Sequence, residues 1–146
     1  MDLTSLEWEN LYDLDRLVPQ QSWTNSAWEE AKKAGRNYYL AVIVENSIWK
    51  GLSLFYRPSV EEKVHLLKII VHPESRRRGL GKNLLEFAIK KWRDEMVCSL
   101  FLEVAENNGP ALGLYRLQGF RALRLVARFY SDGTNAWRME LPLNNA

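Results

Sequence analysis

Apolar residues recur along this chain in two periods, and the changes from one period to the other mark its elements. Leu6, Leu11, Leu14 and Leu17, with Trp8 and Tyr12, repeat at helical spacing and stop before Pro19. Just ahead of them, residues 3–6 read as a short first strand. Ser22-Trp23-Thr24-Asn25-Ser26 offers several caps for a second helix that runs to Ala34 and is closed by Gly35. Residues 38–44 and 48–56 are strand-like on either side of Glu45-Asn46-Ser47, a hairpin that ends at Arg57-Pro58-Ser59.

The middle of the chain is denser. Leu66, Leu67, Ile69, Ile70 and Val71 are nearly continuous, which predicts a strand buried on both faces. His72-Pro73-Glu74-Ser75 stops it, because Pro73 cannot donate to a ladder. Leu80, Leu84, Leu85, Ala88 and Trp92 then return to helical spacing. Residues 99–105 form the next strand. A loop at Asn107-Asn108-Gly109 leads into a short helix over 110–118, with Pro110 near its start and Gly119 beyond its end. Residues 120–130 and 136–141 make a last strand pair around Ser131-Asp132-Gly133-Thr134. The order β-α-α-β-β-β-α-β-α-β-β predicts an α/β fold of one domain, residues 1–146, with a mixed central sheet flanked by helices.

Composition narrows the class. With 47% apolar and 26% charged residues in 146, the chain reads as a soluble globular protein with a continuous core. It has no apolar run of membrane-spanning length and no signal-like start, so no membrane is expected and the cytoplasm is the default location. One cysteine, Cys98, excludes an internal disulfide and a multi-cysteine zinc site. His65 and His72 are isolated and lack a third ligand, so no metal is expected. The net charge of +2 hides an asymmetry: residues 1–62 carry −4 and residues 63–146 carry +6.

That asymmetry points to chemistry at the start of the long helix. A helix N-terminus carries partial positive charge and normally attracts acids. Here Arg76, Arg77, Arg78 and Lys82 gather there, and no acid stands between Glu74 and Glu86. The cluster is repulsive unless an anion joins it. Gly79 and Gly81, on either side of Leu80, allow backbone N–H groups to approach that anion, for which pyrophosphate is the natural candidate. A solvated basic turn is the plainer alternative.

Arg76-Arg77-Arg78-Gly79-Leu80-Gly81 resembles the Gln/Arg-x-x-Gly-x-Gly/Ala loop of GCN5-related N-acetyltransferases, the GNAT family. Leu102-Glu103-Val104, Asn108, Leu114-Tyr115 and Gly119-Phe120 are similar to the pattern of RimI-type protein N-terminal acetyltransferases. Phe129-Tyr130, Gly133, Ala136 and Met139 resemble that subfamily's closing hairpin, and Trp23 resembles the tryptophan of its Pro-Trp-Ser segment. The sequence departs from the pattern at several places. Pro is absent before Trp23, Lys68 stands where Asn is usual, Gly113 where Ala is common, and Asn135 where an acid is usual.

The resemblance implies a GNAT fold, acetyl-CoA as co-substrate, and a protein or peptide N-terminus as acceptor, in particular that of a small-subunit ribosomal protein. It implies that the loop from Arg76 to Lys82 holds the pyrophosphate. Backbone groups of Ile69, Ile70 and Val71 would hold the pantetheine arm, Asn108 would contact coenzyme A, and Trp23 and Tyr130 would touch the acceptor. Glu103 interrupts an apolar strand, where a carboxylate needs a partner or a task. As a base its pKa would be raised by burial; the alternative is a structural strand-end glutamate. Tyr115 is the candidate acid for the departing thiolate, with a core tyrosine as the alternative, and Asn108 is otherwise a helix cap. Cys98 has no histidine near it in sequence to activate it, so direct attack in a ternary complex is expected. Two rival readings remain: the same fold acting on a small amine, and a non-catalytic module that senses acetyl-CoA or binds RNA. No aromatic-basic RNA motif stands out, so no specific nucleic acid is expected.

Overall fold

Tyr38–Glu45 (β1), Ile48–Tyr56 (β2), Lys63–Val71 (β3), Ser99–Ala105 (β4), Arg121–Val126 (β5) and Ala136–Pro142 (β6) form one mixed sheet in the order β1-β2-β3-β4-β6-β5. Four helices cover it: Ser5–Arg16 (α1), Asn25–Lys33 (α2), Leu80–Asp94 (α3) and Gly109–Leu117 (α4). The computed structural model describes residues 1–58 and 62–143, so Ser59 of the predicted break lies outside it. Neighbouring strands are antiparallel except β3 and β4, which are parallel and joined through α3, as a parallel pair requires.

Two predicted elements differ. Residues 3–6 are not a strand, because Thr4 caps α1. Its hydroxyl accepts the Glu7 N–H at 3.2 Å, and its own N–H donates to the Glu7 carboxylate at 3.0 Å. This reciprocal box satisfies otherwise unpaired backbone donors and outweighs a short apolar run. The strand predicted over 120–130 ends at Val126. Arg128 takes a φ of 52°, and its N–H bonds to Asn135 Oδ1 at 3.0 Å, which turns the chain out of the ladder.

The sheet separates two apolar layers. Leu11, Leu14, Trp28 and Ala31 of α1 and α2 pack on Leu52, Leu54 and Ile70 on one face. On the other, Leu85, Ala88, Ile89 and Trp92 of α3, with Leu112 and Tyr115 of α4, pack on Val64, Leu66, Leu100, Leu102 and Met139. Such burial is worth about 1.5–3 kcal/mol for each large side chain. β3 therefore lies between two layers, but it is not the uniformly buried strand its composition predicts. Val64, Leu66, Lys68 and Ile70 are buried, and the residues between them are half-buried.

The register of β3 contains a slip. Leu54 pairs with Lys68 and Phe55 with Leu66, so one step on β2 spans two on β3 and Leu67 is the extra residue. Past this point, the face to which each β3 side chain points is inverted. Val64 and Leu66 face α3, whereas Ile70 belongs to the layer of α1 and α2.

β3 also parts from β4. The described residues of the two strands pair only at Lys63–Ser99, Val64–Leu100 and His65–Phe101. Meanwhile β3 stays paired with β2 as far as Val71, and β4 with β6 as far as Ala105. The central sheet thus holds an open seam between residues 66–71 and 102–105, bordered by unpaired backbone groups.

Candidate active site

The seam and the start of α3 adjoin, since β3 runs through a short turn at Pro73–Ser75 into the basic loop. Gly79 is the N-cap of α3 with a φ of 77°, a left-handed conformation that suits glycine, and no side chain caps the helix. The first turn contains no acid. The first N–H groups of this 15-residue helix therefore have no side-chain cap, and the arginines precede them directly in the chain. Arg76 and Arg77 have no partner among the described residues. Arg78 does: it forks onto the Glu45 carboxylate at 2.8 and 2.6 Å. That pair raises the Arg78 pKa and lowers that of Glu45, so Arg78 is engaged with β1 rather than held ready for an anion.

Gly81 lies where α3 approaches α4 and the end of β3. A Cβ there would lie 3.4 Å from Leu114 Cδ2 and 3.8 Å from Val71 Cγ2. Its hydrogen faces the packing of α3 against α4 and the end of β3. Asn108 is the N-cap of α4, its Oδ1 accepting the Ala111 N–H at 3.2 Å. Its helix-cap role is thus realised.

Glu103 lies on β4 where the seam opens, its side chain 5% exposed. Neither oxygen is free. His65 Nε2 meets Oε2 at 2.5 Å, and Arg138 Nη2 donates to Oε1 at 2.5 Å. The sheet register explains the grouping: His65 pairs with Phe101, two residues before Glu103, and Arg138 pairs with Glu103 across β6. Burial pushes the carboxyl upward, but the hydrogen bonds and charges of His65 and Arg138 outweigh it and hold the pKa below the ordinary value. The expectation of a raised pKa is corrected here, because burial is only one of the competing influences. Glu103 is a carboxylate at neutral pH.

His65 is the partner of Glu103 that sequence reasoning did not connect to it. Its imidazole is 24% exposed and stacks on Phe101 at 4.3 Å between ring centroids. Lys63 on the same strand binds Glu140 at 3.1 Å, and Tyr56 pairs with His65 from β2. No spacing rule links residues 65 and 103; only the parallel register brings them together.

Tyr115 on α4 is 7% exposed and packs edge-on against Phe120 at 5.7 Å. Burial, followed by the influence of Tyr130, pushes its pKa far above the ordinary phenol value. Its hydroxyl has no partner among the described residues, yet it is not among the sealed, unpaired polar atoms. The ring belongs to the core layer of α3 and α4. Tyr130 is raised by burial and by the Glu103 charge, partly offset by a hydrogen bond from the Ala105 backbone. Tyr130 is thus within electrostatic reach of both Glu103 and Tyr115.

Trp23 lies on the α1–α2 side of the sheet. It packs on Trp28 at 4.6 Å and beneath Lys68, whose Nζ lies 5.2 Å from its ring centroid. Two surface hollows of about 300 and 370 Å³ lie along β1 and contain none of these residues.

The chain is similar to known proteins over most of its length. The profile of the Acetyltransferase (GNAT) family matches residues 5–120. An N-alpha-acetyltransferase of Saccharolobus solfataricus is 31% identical over 125 residues, 79% of this chain and 74% of that protein. The ribosomal protein bS18 alanine N-acetyltransferase of Escherichia coli K12 is 28% identical over 148 residues, 97% of each. The crystal structure of the ribosomal-protein-S18-alanine N-acetyltransferase from Escherichia coli superposes with a TM-score of 0.87 at 26% identity, covering 100% of this chain and 94% of that one. On the extent of these matches and the fold they share, the chain belongs to the GCN5-related N-acetyltransferase (GNAT) family, whose members take the acetyl group from acetyl-CoA.

Proposed function

We propose that this enzyme acetylates the α-amine at a protein N-terminus, that of a small-subunit ribosomal protein, by direct attack on acetyl-CoA in a ternary complex. The observation that carries this reading is the His65–Glu103 pair, held by Arg138, beside an open seam in the sheet. Of the relatives described above, one is named an N-alpha-acetyltransferase and another a ribosomal protein bS18 alanine N-acetyltransferase.

In this reading acetyl-CoA supplies the thioester, and the chain's own groups do the rest. Uncapped N–H groups at the start of α3, with Arg76, Arg77 and Lys82, hold the phosphates. Backbone groups of Ile69, Ile70 and Val71 along the seam take the pantetheine arm as a sheet edge takes a strand. A carboxylate 2.5 Å from an imidazole shares one proton with it, leaving the pair able to take one more. That second proton comes from the attacking amine, and Arg138 keeps Glu103 ionised against the resulting imidazolium. Tyr115, kept protonated by burial, donates its O–H to sulfur as the C–S bond breaks. A reference thiol titrates near 8.5 and a phenol near 10, so full proton transfer from a raised phenol is uphill. Its contribution is a hydrogen bond to the developing thiolate.

The acceptor class follows from proton affinity. An α-amine has a reference pKa of about 7.7–8.0 and a lysine about 10.4. Near neutral pH the first is partly free base and needs only a weak acceptor for its proton. Cys98 sits at the entry to β4, where its N–H donates to the Glu62 carbonyl at 2.7 Å, and no base pairs with its thiol among the described residues. A covalent acetyl-cysteine step has no support there.

The test uses labelled acetyl-CoA and three acceptors: a lysine-free peptide with a free α-amine, an α-blocked peptide with one lysine, and a polyamine. The α-amine peptide should be labelled fastest. Faster labelling of either of the others would overturn the acceptor class.

A further inference from the structure

Lys68 and Asp15 form a buried ion pair on the α1–α2 side of the sheet, 2.9 Å apart with each side chain 2% exposed. Together they grip the segment between the two helices. Asp15 Oδ2 accepts the Trp23 N–H at 2.9 Å, the Trp28 indole N–H at 3.0 Å and the Ser22 hydroxyl at 3.4 Å. Lys68 Nζ donates to the Gln21 carbonyl and lies over the rings of Trp23 and Trp28. Buried ion pairs are seldom more stabilising than apolar residues of the same size. Fold stability alone therefore does not account for this one, whereas fixed geometry does.

Its position is informative. The slip in β3 turns Lys68 toward α1, onto the same face of the sheet as His65 and Glu103. Lys68 follows His65, the last β3 residue paired with β4, by three positions, about 10 Å along a strand. The segment gripped by the pair thus borders the open seam on the face where the proton-accepting group stands. We infer that Lys68 is a positioning residue for the acceptor: with Asp15 it fixes Gln21–Trp23 as one wall of the amine's approach and so sets which N-terminal residues are accepted. The inference rests on the acceptor class proposed above. It assigns Trp23 its place as a wall rather than as an isolated contact.

The experiment compares wild type with Lys68→Met/Asp15→Asn, which removes both charges and the grip on Gln21 but keeps an acceptor for Trp23 and Trp28. Lys68→Arg, which retains the pair, is the conservative control. Melting temperature, KM for acetyl-CoA, and KM and kcat for peptides differing only in their first residue are measured. The double variant should fold and keep its KM for acetyl-CoA. Its peptide KM should rise about tenfold or more, as expected when a wall shifts by a fraction of an ångström, and its preference among first residues should flatten. Lys68→Arg should restore both. Wild-type peptide KM and preference in the folded double variant would overturn the inference, as would a fall in kcat alone or failure of that variant to fold. Wild-type protein that acetylates no N-terminal peptide overturns the acceptor class instead, and is recognised before any variant is made.

Discussion

Replacing Tyr115 by Phe separates the two roles this residue could play. The ring is 7% exposed and makes its contacts with Phe120 and the α3–α4 core, all of which Phe keeps. The hydroxyl has no partner among the described residues, so its loss leaves no buried group unpaired and stability should change by less than about 1 kcal/mol. Catalysis should change by more. A general acid contributes roughly 10²–10⁴-fold, about 2.7–5.4 kcal/mol at 1.36 kcal/mol for each factor of ten. Because burial raises the phenol and full proton transfer to sulfur is uphill, the lower end applies, about 10²-fold in kcat. The assay is single-turnover release of coenzyme A thiol at saturating acceptor, run beside a thermal melt. An unchanged single-turnover rate would return Tyr115 to a packing role, and a fall in melting temperature large enough to explain the loss would refute the reasoning equally.

Further predictions follow from particular contacts. Glu103 is depressed in the folded state, so its ionised form stabilises the fold above the ordinary glutamate value near 4.5, and that contribution is lost as pH falls through the folded value. Melting temperature should therefore drop on acidification below about pH 4.5 less steeply in Glu103→Gln than in wild type; parallel curves would show that the carboxylate is not held as described. His65→Gln keeps a donor for Glu103 but cannot take the amine's proton, so kcat/KM for an N-terminal peptide should fall about 10²-fold; an unchanged kcat/KM would remove His65 from the reaction. Gly81→Ala should be tolerated with a small loss of stability, whereas Gly81→Val should lower the melting temperature by pressing on Leu114, as thermal melts will show. Arg77→Glu should weaken acetyl-CoA binding in a salt-dependent way, measured by calorimetry at two ionic strengths, while Arg78→Ala should matter less because Glu45 already occupies that guanidinium.

Much of the frame was legible because it rests on local rules. Helical spacing marked α1 and α3, alternation and turn residues marked the β1–β2 hairpin, and the Gly79–Gly81 punctuation located the uncapped end of α3. The misread first strand had its signal in plain view: Thr4 and Glu7 form a capping box that an apolar run of two residues cannot outweigh. What remained hidden depends on register. The link between His65 and Glu103 spans 38 positions and requires the parallel pairing of β3 with β4, while Arg138 requires the antiparallel pairing of β4 with β6. The direction of the Glu103 shift depends on those two partners, so burial alone predicted it wrongly. Lys68 points toward α1 only because one residue of β3 slips past β2, and a slip of this kind leaves no mark in a run of Leu, Ile and Val.

The measurement that tests the account most directly is the affinity of a conjugate in which an N-terminal peptide is joined through its α-amine to coenzyme A. If the seam and the start of α3 hold the donor while the His65–Glu103 face receives the acceptor, the two halves bind side by side and the second costs little further loss of freedom. The conjugate should then bind at least about 10²-fold more tightly than coenzyme A alone. The same peptide joined through a lysine side chain should bind no better than coenzyme A. Equal affinity for both conjugates and for coenzyme A would contradict a ternary complex built around the α-amine, and tighter binding of the lysine-linked form would contradict the acceptor itself.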